Sequence, residues 1–230
     1  MKTEKTFREN YFKAYDILIG ESLPYKKLLT TVLSELEIKP GEKVLDAGCG
    51  TGNFVKELIK LKAKVVTFDN SLFAIKICKA KVPQAKIFLL DLLNPLPFSA
   101  DTFDKIILNN VLYLIPPEKR IVVLKELWRV LKPNGKIALT NPKKGGKNIK
   151  IFMQDIKSSF QEKGLYEGIK RLKKALKSVF LILPPYLKKV NQKMFLSKQE
   201  QESLLQESGF KIIKTLLVYA DQAILTIAQK

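Results

Sequence analysis

The sequence contains no histidine and only two cysteines among its 230 residues. The first absence excludes an imidazole base or an imidazole metal ligand. Cys49 and Cys78 give neither a disulfide framework nor metal-ligand spacing, so no metal centre is expected. Acids are scarce as well, with 22 Asp or Glu against 41 Lys or Arg and a formal net charge of +19. That imbalance points to an anionic partner such as nucleic acid or a lipid surface, with a solvated lysine-rich surface as the plainer alternative. No apolar run approaches the roughly 20 residues that a membrane span requires. The polar start MKTEKTFREN does not read as a signal peptide. A soluble, cytoplasmic protein is expected, long enough to bury roughly 70–75% of its unfolded surface.

What is present centres on VLDAGCGTGNF, residues 44–54. A short apolar run ends in Asp46, glycines recur at Gly48, Gly50 and Gly52, and a helical pattern follows. Glycine suits a turn that needs positive φ and lets a ligand approach the backbone. The turn and the helix start also turn unpaired N–H groups outward. The dinucleotide fingerprint would need glycine at position 53, where Asn53 stands, and a Walker A Gly-Lys-Ser/Thr is missing. The pattern here is Asp-x-Gly-x-Gly-x-Gly.

Residues 1–40 read as helices, from the spacing of Phe7, Tyr11, Tyr15 and Leu18 and from a stretch between Pro24 and Leu36. After the glycine loop, Phe54, Leu58 and Leu61 mark a helix, and KVVTFD (64–69) a strand ending in Asp69. Leu72, Ile75 and Cys78 mark a second helix. IFLL (87–90) is a strand before Asp91, and FDKIILNN a buried strand ending at Asn109-Asn110. Pro116-Pro117 opens a helix with Ile121, Leu124, Leu127 and Leu131 inward, closed by Pro133 and Gly135. KIALTN is a fifth strand. Strands alternating with helices at this spacing predict a parallel sheet covered on both faces. Near the end, Ser197 to Glu200 forms a capping box and Gly209 stops its helix. FKIIKTLLVY and QAILTIAQ then lie too close together for a parallel crossover, so an antiparallel hairpin is expected.

The motif Asp46-x-Gly48-x-Gly50-x-Gly52 resembles motif I of the class I S-adenosylmethionine (SAM) dependent methyltransferases. LPFSADTFDKIILNNVLYLI and LKELWRVLKPNGKIAL resemble two further stretches of that family, with Asn134 at a frequent glycine position. The resemblance implies a doubly wound α/β sheet of seven strands, order 3-2-1-4-5-7-6 with the last strand antiparallel. It divides the chain into an N-terminal helical cap (1–40), a Rossmann-like SAM-binding core (41–142), a basic helical insert after the fifth strand (143–193) and a C-terminal helix and hairpin (194–230). The cofactor-binding residues it implies are Asp46, Gly48, Gly50, Gly52, Asp69, Asn70, Asp91, Leu92 and Asn109. By the same resemblance, Asp69 accepts the ribose hydroxyls and Asp91 the adenine amine, while the Leu92 N–H meets the ring. Gly48 and Gly50 admit the methionine part, Asp46 orients that loop or receives the ammonium, and Asn109 faces the methionine carboxylate or the reacting methyl. The Tyr15-Asp16 pair resembles an N-terminal helix that closes over the cofactor in several relatives, with plain core packing as the alternative.

The insert is the individual part. Residues 143–193 hold fourteen Lys or Arg against three acids, Asp155, Glu162 and Glu167. Ile169, Leu172, Leu176, Val179 and Leu183 fall on one helical stripe, with Lys170, Arg171, Lys173, Lys174 and Lys177 on the other faces. Pro184-Pro185 reads as the helix terminator. Such a helix suits a lid, an anionic membrane surface contacted through 169–183, or RNA. Asn109-Asn110-Val111-Leu112 is not the Asn/Asp-Pro-Pro-Tyr box of the amine-methylating enzymes. The expected activity is methyl transfer from SAM to a small, apolar or membrane-associated acceptor such as a quinone precursor or lipid. An RNA methyltransferase and a non-catalytic SAM-fold subunit are the alternatives. No catalytic residue is assigned; Tyr15, Tyr113 and the acids are the candidates for a modest base.

Overall fold

The computed structural model describes residue 16 and residues 19–189 and 194–230, with the backbone alone at 148 and 177–189. Phe7, Tyr11, Tyr15 and Leu18 lie outside the described residues. The seven strands are β1 (Lys43–Ala47), β2 (Lys64–Asp69), β3 (Lys86–Leu89), β4 (Phe103–Asn109), β5 (Leu131–Pro142), β6 (Lys211–Val218) and β7 (Ala223–Gln229). They form one sheet in the order β3-β2-β1-β4-β5-β7-β6. The pairs among β1 to β5 are parallel, whereas β7 runs antiparallel to both β5 and β6. The pairings are those the alternation and the short final gap predict, and the order is the one the resemblance implies. The regular part of β5 starts at Lys136, after a left-handed turn at Asn134 (φ 62°) that an asparagine tolerates.

The helices are α1 (Leu23–Leu36), α2 (Asn53–Lys60), α3 (Leu72–Lys81), α4 (Arg120–Val130), α5 (Asn148–Lys189) and α6 (Lys198–Glu207). Side chains alternate across the strands, so both faces of the sheet are buried. Leu45, Ile106, Leu108 and Leu139 meet α4 and α6 on one face. Val44, Val65, Ile107 and Leu225 meet α1, α2 and α3 on the other. The α6 capping box is formed, with Ser197 Oγ accepting the Glu200 N–H and Glu200 Oε2 accepting the Ser197 N–H. Two inward faces differ from their sequence pattern. Helix α3 buries Ala74 and Cys78 and leaves Leu72 exposed, because Leu72 opens the helix beyond the sheet edge. Helix α4 buries Val123, Leu124, Leu127 and the stem of Arg120, whose guanidinium reaches the Ile115 and Met194 carbonyls.

The basic insert is a helical hairpin. Gly164 stands at φ 81° and ψ 176°, a conformation essentially reserved for glycine, and splits α5 into arms 148–163 and 165–189. On a continuous helix Asp155 and Arg171 would lie about 24 Å apart. Here the guanidinium sits 2.6 Å from the Asp155 carboxylate, and both side chains are buried. The second Asp155 oxygen accepts the Leu23 N–H at the start of α1, at 2.8 Å. One acid therefore pins both arms to the N-terminal helix. The expectation that Arg171 belongs to the outward basic face is corrected by this pair. The stripe is displaced too: Gly168, Arg171 and Ala175 turn inward, while Ile169 and Leu176 are exposed. The helix also continues to Lys189, past Pro184-Pro185. Removing one partner of a buried ion pair leaves an uncompensated charge, so Asp155→Ala should cost about 3–5 kcal/mol. Urea denaturation checks this, and a loss below about 1 kcal/mol would mean that the pair does not clamp the insert.

Candidate functional site

Because β1, β2, β4 and β5 run parallel, the loops leaving them gather at one edge of the sheet. Ligands of open α/β sheets lie at that edge, where the strand order reverses around β1. The loop after β1 carries Gly48, Gly50 and Gly52 at φ 87°, 52° and 81°. The three glycines are required for different reasons. A Cβ on Gly48 would stand 2.5 Å from Val111 Cγ2, and one on Gly52 would stand 2.5 Å from Cys78 Sγ. Above Gly50 nothing lies within 4 Å. Gly48 and Gly52 are thus small because protein packs on them, and Gly50 alone faces open space.

The loop is braced from β2. The Gly48 and Cys49 N–H groups both donate to the Phe68 carbonyl at 2.9 Å. The Gly50 N–H donates to Asp69 Oδ2 and the Ser71 N–H to Asp69 Oδ1, each at 2.9 Å. Burial pushes the Asp69 carboxyl upward, against the backbone N–H groups of Gly50, Ser71 and Asn70, which favour the anion. A carboxylate accepts about four hydrogen bonds, so lone pairs remain beyond these donors. Beneath the loop, Cys49 Sγ lies 3.7 Å from the Gly50 carbonyl, and the neighbouring Cys78 together with burial pushes the Cys49 thiol up.

Five buried side-chain oxygens have no hydrogen-bond partner among the described residues, and Asp46 Oδ2, Asn109 Oδ1 and Asn110 Oδ1 are three of them. Asp46 is only 2% exposed. Burial first, and the neighbouring Asp69 charge second, raise its carboxyl from the ordinary value near 3.8 to about 7. Asn110 is left-handed at φ 56°, and its N–H is fixed on the Thr140 carbonyl at 2.8 Å. Unpartnered buried acceptors are costly, and they suit a ligand that brings N–H donors or positive charge. Asp91 lies one strand farther out, after β3. There its Oδ1 accepts the Leu93 N–H at 3.0 Å in a local turn, and Leu92 is buried. Exposed Leu72 and Leu93 supply apolar surface after β2 and β3.

Some site residues escaped the sequence reading. Asp16 Oδ1 accepts Thr51 Oγ1 at 2.6 Å and Lys81 Nζ at 2.7 Å, and Lys81 also donates to Asn53 Oδ1 at 2.8 Å. Asp16 was visible only as the neighbour of Tyr15, and nothing in the pattern of α3 marked Lys81. On the far side, Asn141 Oδ1 accepts the Tyr113 N–H at 3.1 Å, and its amide donates to Gln201 at 2.9 Å. Gln201 in turn donates to Thr226 Oγ1 at 2.9 Å. This buried chain holds the segment after β4 in place.

The comparisons with known proteins agree with this geometry. Residues 44–135 match the family model of a methyltransferase domain. The carboxy-S-adenosyl-L-methionine synthase of Campylobacter fetus is 26% identical, over 97% of this chain and 94% of that protein. A SAM dependent methyltransferase from Aquifex aeolicus superposes with a TM-score of 0.65 at 18% identity, covering 98% of this chain and 97% of that one. Residues 44–135 are thus a methyltransferase domain, and the sheet order is that of the class I, Rossmann-like SAM-dependent methyltransferase fold. A demethylmenaquinone methyltransferase of Bacillus cereus is 35% identical over 44% of this chain and 45% of that protein. The cofactor named for the Aquifex aeolicus neighbour is SAM. The residues fit that cofactor: its ammonium and sulfonium bring the donors and positive charge that the orphaned oxygens lack, and Gly50 leaves room beside the loop.

The contrast between the glycines is testable. Gly48→Ala and Gly50→Ala both place an L-residue at positive φ, which costs about 1–2 kcal/mol. Gly48→Ala must in addition displace Val111, adding about 1–3 kcal/mol of overpacking. Melting curves should therefore show the larger loss for Gly48→Ala, and calorimetry should show SAM binding at least tenfold weaker in Gly50→Ala. Undiminished SAM affinity in folded Gly50→Ala would place the cofactor elsewhere.

Proposed function

We propose that this methyltransferase passes the methyl group of SAM to a small acceptor that is apolar or held at a membrane surface, such as a quinone precursor or a lipid. The observation that carries this reading is the outward face of the insert's second arm. Leu165, Tyr166, Ile169 and Leu176 are 71%, 77%, 41% and 46% exposed. Lys170 and Lys173 are exposed on the same arm, and Lys163 is exposed at the end of the first. Exposed apolar groups ringed by lysines are what a helix lying on anionic lipid presents. The partial similarity to a demethylmenaquinone methyltransferase supports an acceptor of that kind. Among the described residues, no helix is long and apolar enough to cross a membrane, so contact would be peripheral.

Within the site, Asp69 and the adjoining Asn70 would take the ribose, Asp91 and the Leu92 N–H the adenine, and Gly50 the methionine backbone. Gly48 and Gly52 would act from beneath, by letting Val111 and Cys78 close against the loop. Asp46 would receive the ammonium. Asn109, whose amide presents oxygen or nitrogen by a half-turn of its side chain, would meet the methionine carboxylate or the reacting methyl. Methyl transfer from a sulfonium depends chiefly on alignment, which rigid strand ends supply. The near full-length similarity to carboxy-SAM synthase supports a second reading, in which SAM takes up a carboxyl group given up by a carboxylate-bearing co-substrate. Mass spectrometry of SAM incubated with the protein and cell extract separates the two outcomes: a methylated acceptor or a carboxylated cofactor.

The pH dependence of binding tests Asp46. Below pH about 4 its carboxyl is protonated in the folded and unfolded chain alike. Between about 4 and 7 only the folded chain holds the proton, so this group's contribution to stability falls as pH rises through that window. A cation beside it favours the carboxylate, so SAM affinity should rise from pH 6 to pH 8, with proton release below about 7. Calorimetry in buffers of different ionisation enthalpy measures both, and Asp46→Asn should remove the dependence. A flat profile in the wild type would show that Asp46 does not face the cation.

Membrane contact has its own test. Ile169→Ser with Leu176→Ser changes only exposed side chains, so the melting temperature should stay within a few degrees. Co-sedimentation with vesicles containing anionic lipid should be lost. Arg171 is left in place because it is an internal clamp. Unchanged vesicle binding, or salt-sensitive RNA binding without vesicle binding, would overturn the membrane reading.

A further inference from the structure

Beyond the glycine loop, the same edge of the sheet carries a cavity of about 510 Å³. Its walls are the segment leaving β5, the first arm of α5 and the turn between β6 and β7. Lys143, Lys150, Lys157 and Met153 line one side, with Asp221 and Gln222 on the other. Positions 150, 153 and 157 recur at helical spacing, so they share one face of the arm. The opposite face buries Asp155, Ser158 and Ser159.

Three features mark this cavity. None of the described ion pairs involves Lys143, Lys150 or Lys157, although three ammonium groups face a cavity that holds one carboxylate, Asp221. Lys150 stands in the first turn of α5, which contains no acid, where the helix dipole disfavours a cation. The turn itself is strained: Tyr219, Ala220 and Asp221 stand in succession at φ 57°, 56° and 60°. Left-handed geometry costs L-residues about 1–2 kcal/mol each, and such strain persists only where its surroundings impose it. Gln222 does so here. Its carbonyl accepts the Lys143 N–H at 2.9 Å, its Oε1 accepts the Lys147 N–H at 2.8 Å, and its amide donates to the Ala220 carbonyl at 2.8 Å. The turn is thereby locked against the lysine-bearing segment.

From these features we infer that the cavity holds an anionic group, a carboxylate or phosphate, of the molecule that accepts the methyl group. An anion there would relieve the repulsion among the lysines and complement the start of α5. Lys143 lies three residues past Thr140, which pairs with Asn109 across β4 and β5. At the rise of a strand that is about 10 Å. An acceptor anchored in the cavity would therefore extend its reactive end toward Asn109. Met153, 63% exposed, offers apolar surface for the body of such a molecule. Naming the anion as part of the acceptor rests on the methyl-transfer reading, whereas the anion site itself does not.

Inorganic phosphate serves as the probe, followed by phosphorus NMR line width on the full-length protein, with chloride keeping the ionic strength constant. The wild type should bind phosphate saturably. The triple variant Lys143→Gln/Lys150→Gln/Lys157→Gln should bind at least tenfold more weakly, with SAM affinity by calorimetry unchanged within twofold. Should that variant fail to fold, Met153→Glu places a carboxylate in the cavity from an exposed position and should weaken phosphate to the same degree. Vesicles containing phosphatidic acid distinguish the source. Competition with phosphate assigns the cavity to a lipid headgroup, and its absence to a soluble acceptor. Absence of saturable binding to the folded wild type, or binding untouched by both variants, would overturn the anion site. Loss of SAM binding in the wild type would instead strike the methyltransferase reading and leave the phosphate result standing.

Discussion

The Asp69 carboxylate joins two strand ends in one contact. One oxygen holds the Gly50 N–H of the loop after β1, and the other holds the Ser71 N–H that leads into α3. Without it, the bonds from the loop of three left-handed glycines to β2 would be the two to the Phe68 carbonyl, with the Gly52 N–H on the Cys49 carbonyl and Thr51 on Asp16. With it, the loop stands against β2, and Asp46 is sealed beneath at 2% exposure. The raised carboxyl of Asp46 follows from the same closeness, since burial and the Asp69 charge act together. The loop that would cradle the cofactor and the groups that would recognise it are therefore one mechanical unit.

A second constraint lies outside the sheet. The insert is rich in lysine, yet its geometry rests on one acid, Asp155, bonded to Arg171 and to the N-terminus of α1. Clamping the hairpin inward by a charged pair leaves the apolar residues Leu165, Tyr166 and Ile169 facing out. A lid that only covered the sheet would turn those residues toward the core. The first arm, meanwhile, aims Lys150 and Lys157 at the strained turn after β6. The arms thus present different surfaces, the second apolar and the first cationic beside the end of β5.

Much of the sheet was legible in the chain because its signals are local. KVVTFD matches β2 residue for residue, and the short gap around Ala220-Asp221 dictated an antiparallel β7. The strand-end positions of Asp46, Asp69 and Asn109 followed from the strands. What stayed hidden depends on contacts between distant residues. Arg171 looked like one more surface cation, because its partner lies across a fold at Gly164 that only glycine permits. The stripe through Ile169 and Leu176 has a helical period, but a period does not say which face turns inward. Asp16, Lys81, Asn141 and Gln201 are ordinary surface residue types in sequence, and only the fold brings them to the loops they hold. The separate tasks of Gly48, Gly50 and Gly52 were equally invisible, since Val111 and Cys78 approach from other elements.

The central claim is that the loop braced by Asp69 is the cradle of the cofactor. Amide hydrogen exchange with and without S-adenosylhomocysteine tests it most directly, because it reads the loop itself and needs no acceptor. Protection should rise at the amides of residues 50–53, 70–71 and 92, and the cationic cavity around Lys150 should be unaffected. Protection confined to the insert, or none at the glycine loop under saturating ligand, would contradict the account.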